Sequence, residues 1–366
     1  MAKAASAAAL TGAIEELCRT TSGAVALERA VATQLGDYVP FDAWYALTID
    51  PASLLPTGGY HESGVALHLI PHLLEIEARG EDALTWPAMS RAGLRVDTLD
   101  RATAGDRERS QRYREVLTPG GIGQELRATF TTSSGIWGAL ILLRGSDSPD
   151  FSAGEVRVIE ESTAGVATAL RREMVLTEIA LGECRNGPGL LLLDDSLGII
   201  DATAGAAAWL AEIDDSTDAA HRIPYAVTAV GHRVLAGVTP VRSRVRTRTG
   251  RWLTLHAERL HADARRISVI IEPARPVEIA ELVADAYGLT VREREIVRLL
   301  TGGYTRREIA RALTLSSHTV DDHIKKIFGK LEVRSRAELT SKLYFDQHAP
   351  RIDADVAVGA SGWFVH

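Results

Sequence analysis

The sequence predicts a multidomain chain, two α+β regions followed by an all-α unit of four short helices. Three observations carry this. The 366 residues exceed one ordinary domain. Two breaks rich in Gly or Pro, NGPG at 186–189 and EPARP at 272–276, interrupt the periodic pattern. The hydrophobic spacing mixes strand and helix periods before the second break and is purely helical after it.

Composition narrows the classes. At 46% hydrophobic and 24% charged the chain is globular rather than disordered. Its longest strongly apolar run, WGALILL from Trp137, is strand-sized and too short to span a bilayer, so no membrane partner is expected. MAKAASAAAL runs directly into Glu15 and Glu16 and lacks the apolar core of a secretory leader. Cys18 and Cys184 have no CxxC spacing, which argues against a disulfide framework or a thiolate metal site and fits a reducing cytoplasm. The net charge of -7 is unevenly spread, since 12 of the 41 basic and only 7 of the 48 acidic residues fall in 288–345. The segment is thus +5 against -12 for the rest, a basic module on an acidic body. Polyanion binding and a merely solvated charged surface are equally compatible with that asymmetry.

In residues 12–180, Leu27, Val31 and Leu35 recur at helical spacing before Gly36, and FDAWYALTI reads as a strand. Two β-like runs, 122–132 and 136–143, flank the hairpin signal TSSG. Ser152 and Glu155 form a capping box that opens a long helix through Met174. The order of helix, antiparallel sheet and closing helix, together with DFSAGEVRVIEESTAGVATALR, resembles a GAF domain. That family's cyclic-nucleotide signature is missing. In residues 188–272, strand, tight turn and strand precede an Ala-rich helix, a further helical stretch and three strands, the first two joined at Thr249-Gly250. LLLLDDSLGIIDATAGAAAWL resembles a PAS domain, another five-stranded sensory fold. Asp194-Asp195 after a strand also resembles the acidic pocket of a phosphoacceptor receiver. That pocket needs a further Asp and a Lys, and residues 176–323 contain no lysine, so phosphorylation there is not expected.

From Leu289 the local signals are dense. Thr290 with Glu293, Thr305 with Glu308, and Ser335 with Glu338 are S/T-x-x-E capping boxes, and Ser316 or Ser317 opens a further helix. They predict helices of about 11, 8, 14 and 10 residues. Val320, Ile324, Ile327 and Leu331 lie in one stripe, which puts His318, Asp322, Lys325, Lys326 and Gly329 on the opposite face. Ile309 and Leu313 on the preceding helix can pack against the stripe, with Ala310 allowing close approach. A short helix, a tight turn and a longer helix with a polar outer face is the geometry that fits a major groove.

The run LTVREREIVRLLTGGYTRREIARALTLSSHTVDDHIKKIFGKLEVRSRAEL resembles the LuxR-type helix-turn-helix, with LTxRE, EIA, S-x-x-TV-x-x-H, KL and RSRAEL in place. The resemblance implies a non-enzymatic, cytoplasmic transcription regulator that binds double-stranded DNA, with contacts shared among Thr305, Arg306, Ser317, His318, Thr319, Asp321, Asp322, Lys325, Lys326 and Lys330. In that set Thr319 and Lys326, with Arg306 and Ser317, would hold phosphates, and positions 321, 322 and 325 would face base edges. The helix from Ser335 would form a homodimer contact. RNA polymerase and a small-molecule ligand of the sensory regions are the further partners it implies. Residues 273–287 would be a linker helix with Ile279, Leu282, Val283 and Ala286 as its packing face, and 346–366 a tail. Two departures stand out. Thr314 occupies a turn position where the family often has Gly, which leaves the turn conformation open. Asp321 and Asp322 replace basic or amide residues at the groove-facing positions.

Other constellations read as structural. His68 and His72 with Glu75 have metal-ligand spacing, but Pro71 interrupts the helix and a third ligand is not evident, so no metal or cofactor is expected. PGGIG at 119–123 lacks the context of a phosphate loop and reads as a turn. Arg242, Arg244, Arg246 and Arg248 alternate along one strand face, read as a solvated cationic edge rather than a site for an acidic ligand or DNA. Trp209 and Trp252 read as core. Two rivals to a regulator are an enzyme under sensory control, for which no catalytic motif is found, and a scaffold whose helical module binds protein.

Overall fold

The structure, a computed structural model, describes residues 2–62, 65–176, 187–213, 223–261, 263 and 265–345. Two compact units form, one from 1–174 with 186–273, the other including 274–345. Cys184 and the tail 346–366 lie outside the described residues.

The first unit holds two five-stranded antiparallel sheets. It opens with α1 (Ala2–Thr20) and α2 (Ala24–Gly36), followed by β1 (Ala43–Ile49) and β2 (Pro56–Glu62). Next come α3 (Ile70–Arg79), α4 (Trp86–Ala92), β3 (Val96–Thr98), α5 (Leu99–Ala102), the hairpin β4 (Ile122–Thr132) and β5 (Gly135–Gly145), and α6 (Ala153–Leu176). The strand order is β2-β1-β5-β4-β3. Central β5 pairs on both sides, with Leu140 opposite Ala46 and Ala128. Strand alternation therefore sends Tyr45, Leu47, Ile49, Ala139 and Ile141 to one face, where Leu73, Ile76, Trp86, Met89 and Leu99 complete the core. On the other face Gly138 lies so close to Leu170 of α6 that a Cβ would stand 2.4 Å from its side chain. The capping box at the start of α6 forms as read, the Ser152 amide donating to Glu155 at 2.7 Å and the Glu155 amide to Ser152 at 3.3 Å.

The second sheet is built from β6 (Gly189–Leu193), β7 (Ile199–Ala202), β8 (Val241–Arg246), β9 (Trp252–Arg259) and β10 (Ile267–Pro273), with α7 (Ala204–Ile213) and α8 (Tyr225–Leu235) between β7 and β8. Its order, β7-β6-β10-β9-β8, repeats that of the first sheet strand for strand. Trp209 and Trp252 are buried, and the Trp209 indole donates to the Gly187 carbonyl at 2.9 Å. Asp194 closes the turn between β6 and β7, accepting from the Ser196 amide at 2.9 Å and the Gly198 amide at 2.7 Å. The Ser196 hydroxyl, which donates to the same carboxylate at 2.7 Å, together with those amides holds it below the ordinary value.

Two sequence expectations need correction. Pro71 does not interrupt a helix. It stands in the first turn of α3, where its missing N–H costs nothing, and His72 hydrogen-bonds Glu75 and Glu115 at 3.1 and 2.6 Å. The arginine row of β8 is not a solvated edge. Arg244 grips the buried carboxylate of Asp50, beyond β1, at 2.6 Å, and Arg246 donates to the Glu173 carbonyl of α6 at 2.8 Å. Arg248 donates to the Ala211 carbonyl at 2.7 Å. Arg244 and Arg246 are consumed in joining the two sheets' layers within one unit, a use that alternation alone cannot distinguish from exposure, whereas Arg242 and Arg248 stay exposed.

The second unit comprises α9 (Pro276–Ala286), α10 (Val291–Thr301), α11 (Arg306–Ala312), α12 (Ser317–Leu331) and α13 (Arg336–Thr340), which runs into a π turn, Ser341–Phe345. The α-helical part has five residues, and with the five-residue π turn the helical span reaches the length the sequence predicts, with Leu339 and Leu343 both buried. Helix α9 is tied to α10 by Arg294 on the buried Asp285 at 2.9 Å and Arg298 on Glu281 at 2.8 Å. Of its expected packing face Ile279, Leu282 and Val283 are buried, and Ala286 only partly.

Candidate nucleic-acid interface

Local chemistry fixes the helix starts. Thr290 and Glu293 exchange amide hydrogen bonds at 2.8 and 3.3 Å, and Thr305 and Glu308 at 2.7 and 3.4 Å. At α13 the box is displaced by one residue, since Glu338 accepts from the Arg334 amide at 2.8 Å while its own amide donates to Ser335 at 3.1 Å. Ser316 is the cap of α12, its hydroxyl accepting from the Thr319 amide at 3.0 Å. That leaves Ser317 as the first helical residue, exposed beside His318.

The stripe on α12 is buried as its spacing requires, with Val320, Ile324, Ile327 and Leu331 packed beneath the helix and Ile309 and Ala310 of α11 buried nearby. The opposite face carries Ser317, His318, Asp322, Lys325 and Lys326, all exposed. Arg306 and Arg307 at the start of α11 are exposed as well. Lys325, Lys326 and Arg307 take no hydrogen-bond or ion-pair partner among the described residues.

Between α11 and α12, Thr314 adopts φ 54, the left-handed conformation. The Leu315 amide then closes back on the Ala310 carbonyl at 2.8 Å. A β-branched residue is strained there, so the turn conformation that glycine would take is kept at a cost of about 1–2 kcal/mol. Thr314→Gly is expected to stabilise the second unit by about 1 kcal/mol, read as a rise in urea midpoint at constant slope.

Lys330 does not stand with the other candidates. Its Nζ donates to the Glu293 carboxylate at 2.6 Å and to the Gly288 carbonyl at 2.9 Å, locking the end of α12 to the start of α10. Burial opposes the charged form of Glu293, but Lys330 and the Thr290 amide outweigh it and hold the carboxyl below its ordinary 4.5. A depressed folded-state value means this contribution is present above the unfolded value and lost as pH falls through the folded one. Lys330→Ala should destabilise the unit by about 1–3 kcal/mol, since it leaves the buried Glu293 carboxylate with the Thr290 amide but no cation, and should leave the salt dependence of any duplex binding unchanged. Thr305 is likewise occupied, as cap of α11.

The two neighbouring aspartates of α12 differ. Asp321 is paired with Arg306 across the turn, Nε to Oδ1 at 2.9 Å. Among the described residues Asp322 faces only His318, at 3.7 Å, and is well exposed. Two contributors escaped the sequence reading. Arg292 donates to the Leu313 carbonyl at 2.6 Å and pins the end of α11, and Arg307 adds an exposed cation beside Arg306. The first is a tertiary contact without a local signal, whereas the second was visible as the tandem arginines opening a capped helix.

Among the described residues no helix is long and apolar enough to cross a membrane. Residues 288–343 match the family described as bacterial regulatory proteins, luxR family. Over 86 residues the chain is 36% identical to the nitrate/nitrite response regulator protein NarL of Escherichia coli (strain K12), which covers 22% of this chain and 40% of that one. Over 56 residues it is 45% identical to the monoamine regulon transcriptional regulator of Klebsiella aerogenes, covering 15% and 25%. The chain therefore spans less than half the length of these relatives. Of solved structures, a GAF domain/HD domain protein from Geobacter sulfurreducens is 15% identical with a TM-score of 0.32, covering 43% of this chain and 98% of that one.

Proposed function

We propose, from the LuxR-type helix-turn-helix domain that residues 288–343 form, that the protein is a cytoplasmic, sequence-specific DNA-binding regulator of transcription. The observation that carries it is the split of α12 into a buried aliphatic stripe and an exposed face with two unpaired lysines. Such a helix can enter a major groove while α11 crosses the backbone.

On this reading Lys326, Arg306, Ser317 and Thr319 contact phosphates and Lys325 faces guanine. Asp322 cannot attract a phosphate, but its free carboxylate can accept from the exocyclic amine of cytosine, which gives the site a C·G requirement. The exposed side of α13, with Arg336 and Ala337, supplies the homodimer contact. Two recognition helices then lie about 34–36 Å apart and demand a pseudo-palindromic site. The two five-stranded layers of the first unit receive the signal.

The test is the salt dependence of duplex binding by the full chain. Lys326→Ala should weaken binding to all sequences alike and reduce the slope of log affinity against log salt by about one unit. Affinity that does not change with salt in the parent contradicts the assignment.

A further inference from the structure

The neighbouring aspartates on α12 pose a problem of charge, because two carboxylates at the groove face oppose a polyanion. The structure relieves only one of them. Asp321 Oδ1 lies 2.9 Å from Arg306 Nε as an ion pair, and the two residues belong to different helices, α12 and α11. Among the described residues Arg306 makes this ion pair without donating a hydrogen bond, so the fork that matches a phosphate is still open. Among the described residues Asp322 has no such partner within hydrogen-bond distance, its contact with His318 being 3.7 Å.

We infer that Asp321 is a positioning residue and not a base reader. It aims the open edge of Arg306 at the DNA backbone, and sequence discrimination on this face falls to Asp322 with Lys325. The inference rests on the DNA-binding reading and deepens it. Arg306 has 66% of its side chain exposed and Asp321 40%, so the pair contributes little to folding. Its value is orientation. A guanidinium held in place loses less rotamer freedom when it meets a phosphate, and the carboxylate is neutralised where it would repel one. The ion pair also crosses the helix-turn-helix corner, so it couples the phosphate contact of α11 to the reading angle of α12.

The experiment uses the full chain, selection from randomised duplexes, and affinity over a salt series. Asparagine at a base-facing aspartate exchanges a cytosine acceptor for an amide that pairs with adenine, whereas at Asp321 it keeps the oxygen that holds Arg306. Asp322→Asn is therefore expected to lose its cytosine preference by about tenfold and to gain adenine at that position. Asp321→Asn should leave every base preference intact and raise affinity for all duplexes a few-fold. Arg306→Ala should weaken all duplexes and reduce the salt slope by about one unit in the parent. In an Asp321→Ala background it should cost clearly less, a coupling of about threefold or more in the double-mutant cycle. Thermal melting of each variant should match the parent, which separates orientation from folding. A changed base preference in Asp321→Asn, or additive effects of Arg306→Ala and Asp321→Ala, overturns this inference while leaving the regulator reading intact. A parent chain that binds no duplex at low salt overturns both.

Discussion

Glu125→Ala is expected to unfold the first unit or bring it to the edge of unfolding. Glu125 is fully buried on β4 between two arginines that are themselves fully buried, Arg112 at 2.8 Å and Arg127 at 3.1 Å. Arg112 also binds Asp82 at 3.3 Å and Glu77 at 3.2 Å, and Arg127 lies 4.5 Å over the Trp86 ring. Removing the central carboxylate leaves two buried guanidinium groups to share Glu77, with Asp82 as the other partner of Arg112, an excess of buried positive charge that costs about 3–5 kcal/mol. That is a large share of a domain's stability. Burial disfavours the charged Glu125, but both arginines outweigh it and hold its carboxyl below the ordinary 4.5. The sign follows from linkage, since a depressed folded value gives stability that is present at neutral pH and lost as pH falls through that value. Urea melts at neutral pH should show the loss in Glu125→Ala, and the parent's advantage should shrink in acid. Equal midpoints for parent and variant would mean that the network is not closed as described.

Ile327→Ala should abolish DNA binding by a route that leaves the exposed face of α12 chemically unchanged. Ile327 is fully buried in the middle of the aliphatic stripe, where α12 packs on α10 and α11. Truncating a buried isoleucine costs about 2–5 kcal/mol, and a unit of five short helices has little to spare. The expected result is a lowered melting midpoint for the second unit and a loss of affinity for all duplexes together. Lys325→Ala, on the opposite face, should alter affinity with the melt unchanged. If Ile327→Ala binds and melts like the parent, the stripe does not support the helix.

Much of the second unit was legible because its signals are local. Capping boxes act over three residues, and the stripe of α12 follows from 3.6 residues per turn, so Thr290, Thr305, Val320 and Ile324 could be placed without a structure. The β4–β5 hairpin was legible for the same reason. What stayed hidden depends on distant partners. Strand β2, with the sequence PTGGYHE, has poor strand propensity and exists because it pairs with β1. Its Gly59 is required there, as a Cβ would stand 2.4 Å from the Ala46 carbonyl. Asp50 and Arg244 meet across 194 residues, and nothing near either predicts the other. At the interface the exposed lysines were identifiable from the helical wheel, whereas the withdrawal of Lys330 into an ion pair with Glu293 was not. Thr314 shows the limit from the other side, since its left-handed backbone is set by the closure of the turn and not by its own preference.

Methylation interference with the full chain, on duplexes it selects from a random pool, tests the central claim most directly. Guanine N7 lies in the major groove and adenine N3 in the minor groove, so one reagent that methylates both reports which groove is read. If α12 enters the major groove, methylation at N7 of a few guanines, in two clusters one helical turn apart, blocks binding, and methylation at adenine N3 between them does not. Interference confined to adenine N3, or no retained duplex even at low ionic strength, would contradict the account.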